Sequence, residues 1–253
     1  MIRRIRAAHL GVGAVVPVLL LLLWYLLAAA HVFRPDQLPP PGRVWHAGLD
    51  LAHNGALWDH IRVSTRRVLV GFTVGAALGL ATGALVGLYR PAAALLGPTV
   101  GAFRAVPSLA WVPLLILWLR IGEDSKITLI AIGAFFPAYT TVAAALRHVD
   151  AGLVEAGRAY GLNGVRLLTT VQLPAVTPAV FAGLRLALAQ SWLFLVAAEL
   201  IASSQGLGFL LIDSQNNGRT DRLVLAIALL AVLGKTTDTV LGLGERWALR
   251  RWT

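Results

Sequence analysis

Apolar residues in this chain fall into long runs with short polar stretches between them. The first run occupies residues 10–33 and follows the basic start "MIRRIR". Further runs occupy 68–89, 99–119, 127–146, 179–201 and 223–243. Each is close to the ~20 residues that an α-helix needs to cross the ~30 Å hydrocarbon layer of a bilayer. Lipid offers no water to backbone N–H and C=O groups, so these runs must satisfy them internally, as helices. The pattern predicts an all-α polytopic membrane protein with six transmembrane helices.

The breaks in the pattern predict the connections. "RPDQLPPPGRVWHAGLDLAHNGALWDHIRVSTRR" is proline-rich at its start and amphipathic afterwards, so it reads as a loop followed by an interfacial segment. The third run is interrupted by Pro107 and Pro113, "RIGEDSK" reads as a short exposed turn, and "SSQGLGFLLIDSQNNGRTDR" as a loop before the last span. Residues 147–178 are too polar to span and too long for a simple turn. The resulting organisation is an N-terminal helix with an outer amphipathic segment (1–57), a transmembrane core (58–243) and a basic tail (244–253). The small residues of "LAAAHVF" imitate a signal-peptidase site, but the first run exceeds the ~7–15 residues of a signal core, so it is read as an uncleaved span.

Composition agrees with lipid as the solvent. The 253 residues are 57% hydrophobic and 13% charged, against about 45–50% and about 25% for a soluble domain. The absence of cysteine removes disulfides, thiolate metal sites and thiol nucleophiles. The net charge of +10 comes from arginines at the ends of apolar runs rather than from a stripe, a pattern for anionic headgroups and not for nucleic acid. With the N-terminus inside, eleven arginines fall on inner segments and nine basic residues on outer ones. The clusters Arg3, Arg4, Arg6 and Arg246, Arg250, Arg251 strengthen that vote, placing both termini in the cytoplasm.

Several apparent sites dissolve on inspection. "AVLGKTTD" carries the tail of a phosphate-binding loop, but the position that should hold its first glycine is Leu229, and the preceding run is a spanning helix whose amides are already bonded. "GLG" at 206–208 lacks the third glycine and the preceding strand of a dinucleotide fingerprint. His46, His53 and His60 recur every seven residues, about 10 Å apart on a helix, too far to share one metal ion. No G-x-S-x-G or H-E-x-x-H is present, and no catalytic residue is assigned.

Two patterns carry more weight. Gly71, Gly75, Gly79, Gly83 and Gly87 recur every fourth residue of the second span. Small residues at that spacing let a second helix approach closely, as static packing or as a moving contact beside a pathway. Lys235 and Asp238 stand three apart inside the sixth span and can pair, with Glu199 of the fifth span as a possible third partner. Ionisable groups inside a span face a bundle interior or an aqueous cavity. Either these residues tie the fifth and sixth helices together, or Lys235 lends positive potential to an anionic solute.

The stretch "VEAGRAYGLNGVRLLTTVQLP" predicts a short helix over Glu155–Tyr160 broken at Gly161. A second short helix, capped by Asn163, follows from Gly164 to Val171 and is ended by Pro174. Its apolar edge (Leu162, Val165, Leu167, Leu168) packs either on the protein's own helices or in a groove on a partner. The spacing of Glu155-Ala156-Gly157, Gly161, Val171 and Leu173-Pro174 resembles the E-A-A-x3-G-x9-I-x-L-P signature of the membrane subunit of bacterial ATP-binding-cassette importers. Gly157 and Val171 depart from it, and a helical glycine costs about 1 kcal/mol. "FRAVPSLAWVPLLILWLRIGEDSKI", "GLRLALAQSWLFLVAAELI" and "TDRLVLAIALLAVLGKTTD" are similar to the aliphatic sulfonate permease branch, near the taurine, nitrate, bicarbonate and thiamine-precursor permeases.

The resemblance implies a type I importer permease in the bacterial inner membrane. It implies a second permease subunit, most simply an identical copy, two ATP-binding subunits and a periplasmic or lipid-anchored solute-binding protein. Coupling to the ATPase would fall to Glu155, Ala156, Gly157 and Gly161, with Leu173 and Pro174 fixing the exit into the fifth span. ATP and magnesium would belong to the ATPase, and this chain would hold no cofactor or metal of its own. The rival from another class is a proton-coupled carrier using Glu199 or Asp238, which would show inverted repeats with discontinuous helices. A membrane-embedded enzyme is the other, and it lacks a nucleophile–base set.

Overall fold

A computed structural model describes residues 2–250, with side chains from residue 15 onward except at 108 and 202. Arg3, Arg4, Arg6 and Arg251, which entered the orientation count, lie outside the described side chains. Every regular element among the described residues is helical. The chain forms two compact units, residues 1–59 with 210–228 and residues 60–209 with 229–253.

In the first unit, α1 (Ile2–Ala29) covers most of the first expected span. It stops four residues short of the end of the apolar run, where His31 takes a positive φ of 53°. Trp24 Nε1 donates to the Pro39 carbonyl at 3.0 Å and tethers the proline-rich loop. α2 (Pro41–His53) begins on a proline, which costs no helical hydrogen bond in the first turn. Val44, Ala47 and Leu51 form its buried face, while His46 and His53 point outward.

The other long helices lie mostly in the second unit. α3 (Ala56–Leu88) starts twelve residues before its apolar run, because hydropathy marks the lipid-facing part of a helix and not its ends. α6 (Glu123–Arg147) starts inside the expected turn, with its acidic pair Glu123 and Asp124 in the first turn of the helix, where the helix dipole favours carboxylates. The exposed turn is therefore shorter than expected, and Ser125 and Lys126 are buried. α9 (Leu173–Ala202) and, after the shorter α10 (Leu207–Asn216), α11 (Thr220–Leu249) complete the long apolar helices. Ala134 and Ala138 of α6 meet Ala187 of α9, small residues that bring the two backbones close.

The third expected span is broken. α4 (Arg90–Ala105) and the helical residues from 109 to Leu119, which include α5 (Val112–Leu119), meet at 84°. Pro107 has no N–H for the Phe103 carbonyl, and Val106 before it is extended at ψ 124°, the conformation proline imposes on its predecessor. Among the described residues four helices are long and apolar enough to cross a membrane, and the bent pair makes up to five. The described side chains of α1 add a shorter apolar helix over Val15–Ala29.

The glycines of α3 face α6. A Cβ at Gly71 would lie 2.6 Å from Ile130, at Gly79 2.5 Å from the Phe135 carbonyl, at Gly83 2.7 Å from the Tyr139 carbonyl and at Gly87 2.9 Å from Leu146. Gly75 is against the Ala131 carbonyl. The stripe is a backbone-to-backbone seam within one subunit.

Candidate functional site

The non-spanning stretch folds as a hairpin of short helices. α7 (Ala151–Ala159) is capped by Asp150, whose side chain accepts from Gly152 N–H at 2.7 Å. At its other end Gly161 N–H bonds the Arg158 carbonyl at 2.9 Å and Leu162 N–H bonds the Gly157 carbonyl at 3.0 Å. This is the Schellman arrangement, and it puts Gly161 at the left-handed position, φ +78°. α8 (Gly164–Leu167) returns toward α7. Gly157 is buried against it: a Cβ there would lie 2.7 Å from Leu167 and 3.1 Å from Val171. The glycine that departs from the signature is thus filled from across the hairpin.

Two expectations for this stretch need correction. Asn163 occupies the N-cap position, but its side chain makes no capping bond. Pro174 does not end a helix. The chain winds on from α8 through a π-helical turn over Leu168–Gln172 into α9. Leu173 N–H bonds the Leu168 carbonyl, five residues back, and the wide turn absorbs the donor that Pro174 lacks. The apolar edge divides: Leu167 is buried and Leu162 and Leu168 are half-buried, while Val165 is 75% exposed. Glu155 and Ala156 are exposed beside Tyr160, whose ring is 87% exposed.

A second constellation surrounds Glu199. Its carboxylate is fully buried and receives Arg67 Nη1 at 2.8 Å, Ser64 Oγ at 2.9 Å and Gly208 N–H at 2.8 Å. Ser64 Oγ in turn accepts Leu207 N–H at 2.8 Å. Gly206, at φ +119°, lies so close to the carboxylate that no side chain fits. Its N–H donates to His60 Nδ1 at 3.1 Å. The "GLG" that fails as a nucleotide fingerprint thus gives one backbone amide, that of Gly208, to the protein's own anion and a second, that of Leu207, to the Ser64 hydroxyl that donates to it. Arg67 also reaches the Gln205 carbonyl at 2.7 Å and grips Glu123 through Nε at 2.8 Å and through Nη2. Lys126 stands 3.4 Å from Glu123. Two cations thereby balance two carboxylates, and α3, α6, α9 and the loop after α9 are pinned together.

Glu199 is therefore not a partner of Lys235 and Asp238, as the sequence suggested. Asp238 is held by Arg185 of α9 in a bidentate pair, at 2.7 and 2.9 Å. Glu245 approaches the same arginine at 3.8 Å. Lys235 stands 3.5 Å from Asp238, with its side chain 77% exposed. These groups line a cavity of about 250 Å³ with Thr239, Gly242 and Arg246, the polar recess that a charge at mid-helix requires. Gly234 and Lys235 lie inside α11, so no phosphate-cradling loop forms there. Ser64, Arg67, Glu123 and Arg185 escaped sequence reasoning, although Arg185 is the only cation of the run 179–201. Among the described residues no cluster of histidine and carboxylate side chains has metal-binding geometry.

Residues 75–248 match the family model described as "Binding-protein-dependent transport system inner membrane component". A protein of Escherichia coli (strain K12) named as an aliphatic sulfonates transport permease, SsuC, is 40% identical over 234 residues, covering 92% of this chain and 89% of the relative. The taurine transport system permease protein TauC of the same strain is 32% identical over 253 residues, covering 98% of this chain and 90% of the relative. Among solved structures, a chain from inward-facing crystals of the MetNI methionine ABC transporter superposes with a TM-score of 0.66 at 22% identity, over 80% of this chain and 98% of that one. That likeness concerns the fold.

Proposed function

This chain belongs to the family of binding-protein-dependent transport system inner membrane components, and from that premise we propose that it imports a small sulfonate, aliphatic sulfonate or taurine, across the inner membrane. It is a multi-pass permease subunit of an ATP-binding-cassette importer, not an enzyme, and ATP is hydrolysed on a separate subunit. The observation that carries the mechanism is the hairpin of α7 and α8, held compact by Gly157 while Glu155, Ala156 and Tyr160 stay exposed.

In this reading the hairpin and both termini face the cytoplasm. Two copies of the chain form the pathway, each seating its hairpin in one of two ATPase subunits. Glu155 and Ala156 make the contact, Gly157 and Gly161 set the hairpin's shape, and Leu173 and Pro174 carry its motion into α9. ATP and magnesium are bound by the ATPase, and a solute-binding protein delivers cargo to the outer face. A proton-coupled mechanism finds less support, because Glu199 and Asp238 are each held by an arginine.

Deleting the gene from sulfate-starved cells is expected to abolish uptake of labelled alkanesulfonate or taurine and to leave nitrate uptake intact. Unchanged uptake of both sulfur compounds would remove the substrate assignment. Within the same assay Lys235→Met is expected to accumulate and import normally, because Arg185 retains Asp238 and keeps α9 tied to α11. A well-accumulated Lys235→Met protein that no longer imports would instead place Lys235 on the solute path.

A further inference from the structure

Where the second unit gathers charged side chains around a recess, carboxylates accompany the cations in one case and not in another, whose Arg104, Arg147 and His148 are themselves exposed at its rim. Arg67 and Lys126 share Glu123, Arg185 and Lys235 share Asp238, and Arg246 lines its cavity beside Asp238 and Glu245. A separate cavity of about 460 Å³ between α4 and α6 is lined by Arg104, Arg147 and His148, with Tyr139 and Thr140, and by no carboxylate. Arg104 makes no hydrogen bond or ion pair among the described residues. Arg147 spends one donor on the Val86 carbonyl at 3.4 Å. His148 Nδ1 lies 2.8 Å from the Ala144 carbonyl, so Nε2 is the ring atom left for a ligand.

We propose that this cavity binds an oxyanion headgroup, a sulfonate or a phosphate. Two guanidinium groups in a lining that holds no carboxylate offer planar forks of donors that match such oxygens, and their bonds to an anion are charge-assisted. The volume is that of a small-ligand pocket and leaves room for bridging water. Arg147 closes α6, His148 caps it and α7 begins three residues later, so a bound anion joins α4 to the root of the hairpin. The headgroup has two sources: the imported solute, which rests on the transport reading above, or an anionic phospholipid, which does not.

The test uses the complete transporter with its ATPase subunits. In phosphatidylcholine nanodiscs, ethanesulfonate binding is measured by calorimetry. In parallel, phosphatidylglycerol retained from a mixed bilayer is counted by native mass spectrometry. The R104Q/R147Q variant is expected to weaken or deplete the bound species about tenfold or more, as loss of charged hydrogen bonds does. R104K/R147K is expected to keep much of the binding, and thermal melting of both variants to match wild type. Ethanesulfonate bound by wild type and lost in R104Q/R147Q assigns the solute. Phosphatidylglycerol alone retained and then lost assigns the lipid. No binding of either species, or equal binding by wild type and R104Q/R147Q, overturns the proposal. Sulfonate uptake by cells is read separately, so failure of the transport reading leaves the phospholipid outcome standing.

Discussion

Replacing Arg67 by leucine is expected to destabilise the protein by about 3–5 kcal/mol, the usual cost of stranding one partner of a buried ion pair. The size follows from Glu199. Its side chain is 0% exposed and cannot turn to solvent when the guanidinium leaves, whereas Glu123, 54% exposed, can. Ser64 and the Gly208 amide would still donate, but hydrogen bonds do not cancel a buried charge. Glu199→Gln is expected to do less harm. The amide oxygen keeps an acceptor for Gly208 or Ser64, and Arg67 keeps Glu123. Combining Arg67→Leu with Glu199→Leu is expected to recover part of the loss, because apolar pairs of similar volume replace buried ion pairs at little cost. Thermal melting of detergent-solubilised protein, followed by fluorescence-detected gel filtration, would rank the variants. Arg67→Leu should melt lowest, the double variant above it, Glu199→Gln above that and wild type highest. An Arg67→Leu protein that melts with wild type would show that the network contributes nothing.

How far this site was legible depends on what lipid does to a sequence. A bilayer makes spans conspicuous, since each must be an apolar run, and five of the runs coincide with one helix each while the third coincides with a bent pair. The same apolarity hides which face meets which neighbour, because a helix that is apolar all round carries no amphipathic phase. Glycines are the exception: a four-residue stripe survives in the sequence and does face α6. Arg67 and Glu199 are 132 residues apart, and nothing local links them. Arg185 was visible as a lone cation in a run, and a charge inside a span demands a partner. Searching the other spans for a carboxylate at matching depth would have led to Asp238. The bend after α4 was announced by Pro107. The continuation of α9 back through Pro174 was not, because a π turn can absorb a proline that ordinary winding would reject.

The hairpin was more legible because it lies outside the apolar runs and uses turn chemistry. Gly161→Val is expected to lower uptake by on the order of tenfold or more with the protein still at wild-type level in the membrane, since displacing coupled parts by about 1 Å costs up to about a hundredfold. Gly161 sits at φ +78° and is exposed, and no heavy atom lies within 4 Å of a Cβ built there. The penalty is therefore conformational, about 1–2 kcal/mol for an L-residue and more for a β-branched one. It falls on the turn between α7 and α8 and not on the buried clusters, so melting should move little. To escape it the Schellman turn must open, and with it go the bonds from Gly161 and Leu162 that set the angle of α7. Glu155 and Ala156 then leave the surface proposed to meet the ATPase. Asparagine tolerates the left-handed region far better than valine. Gly161→Asn should therefore retain most of the uptake, which separates backbone shape from mere loss of glycine. In the purified complex, Gly161→Val should also blunt the stimulation of ATP hydrolysis by the loaded binding protein. Wild-type import and stimulation in Gly161→Val would mean that the hairpin does not transmit the ATPase motion.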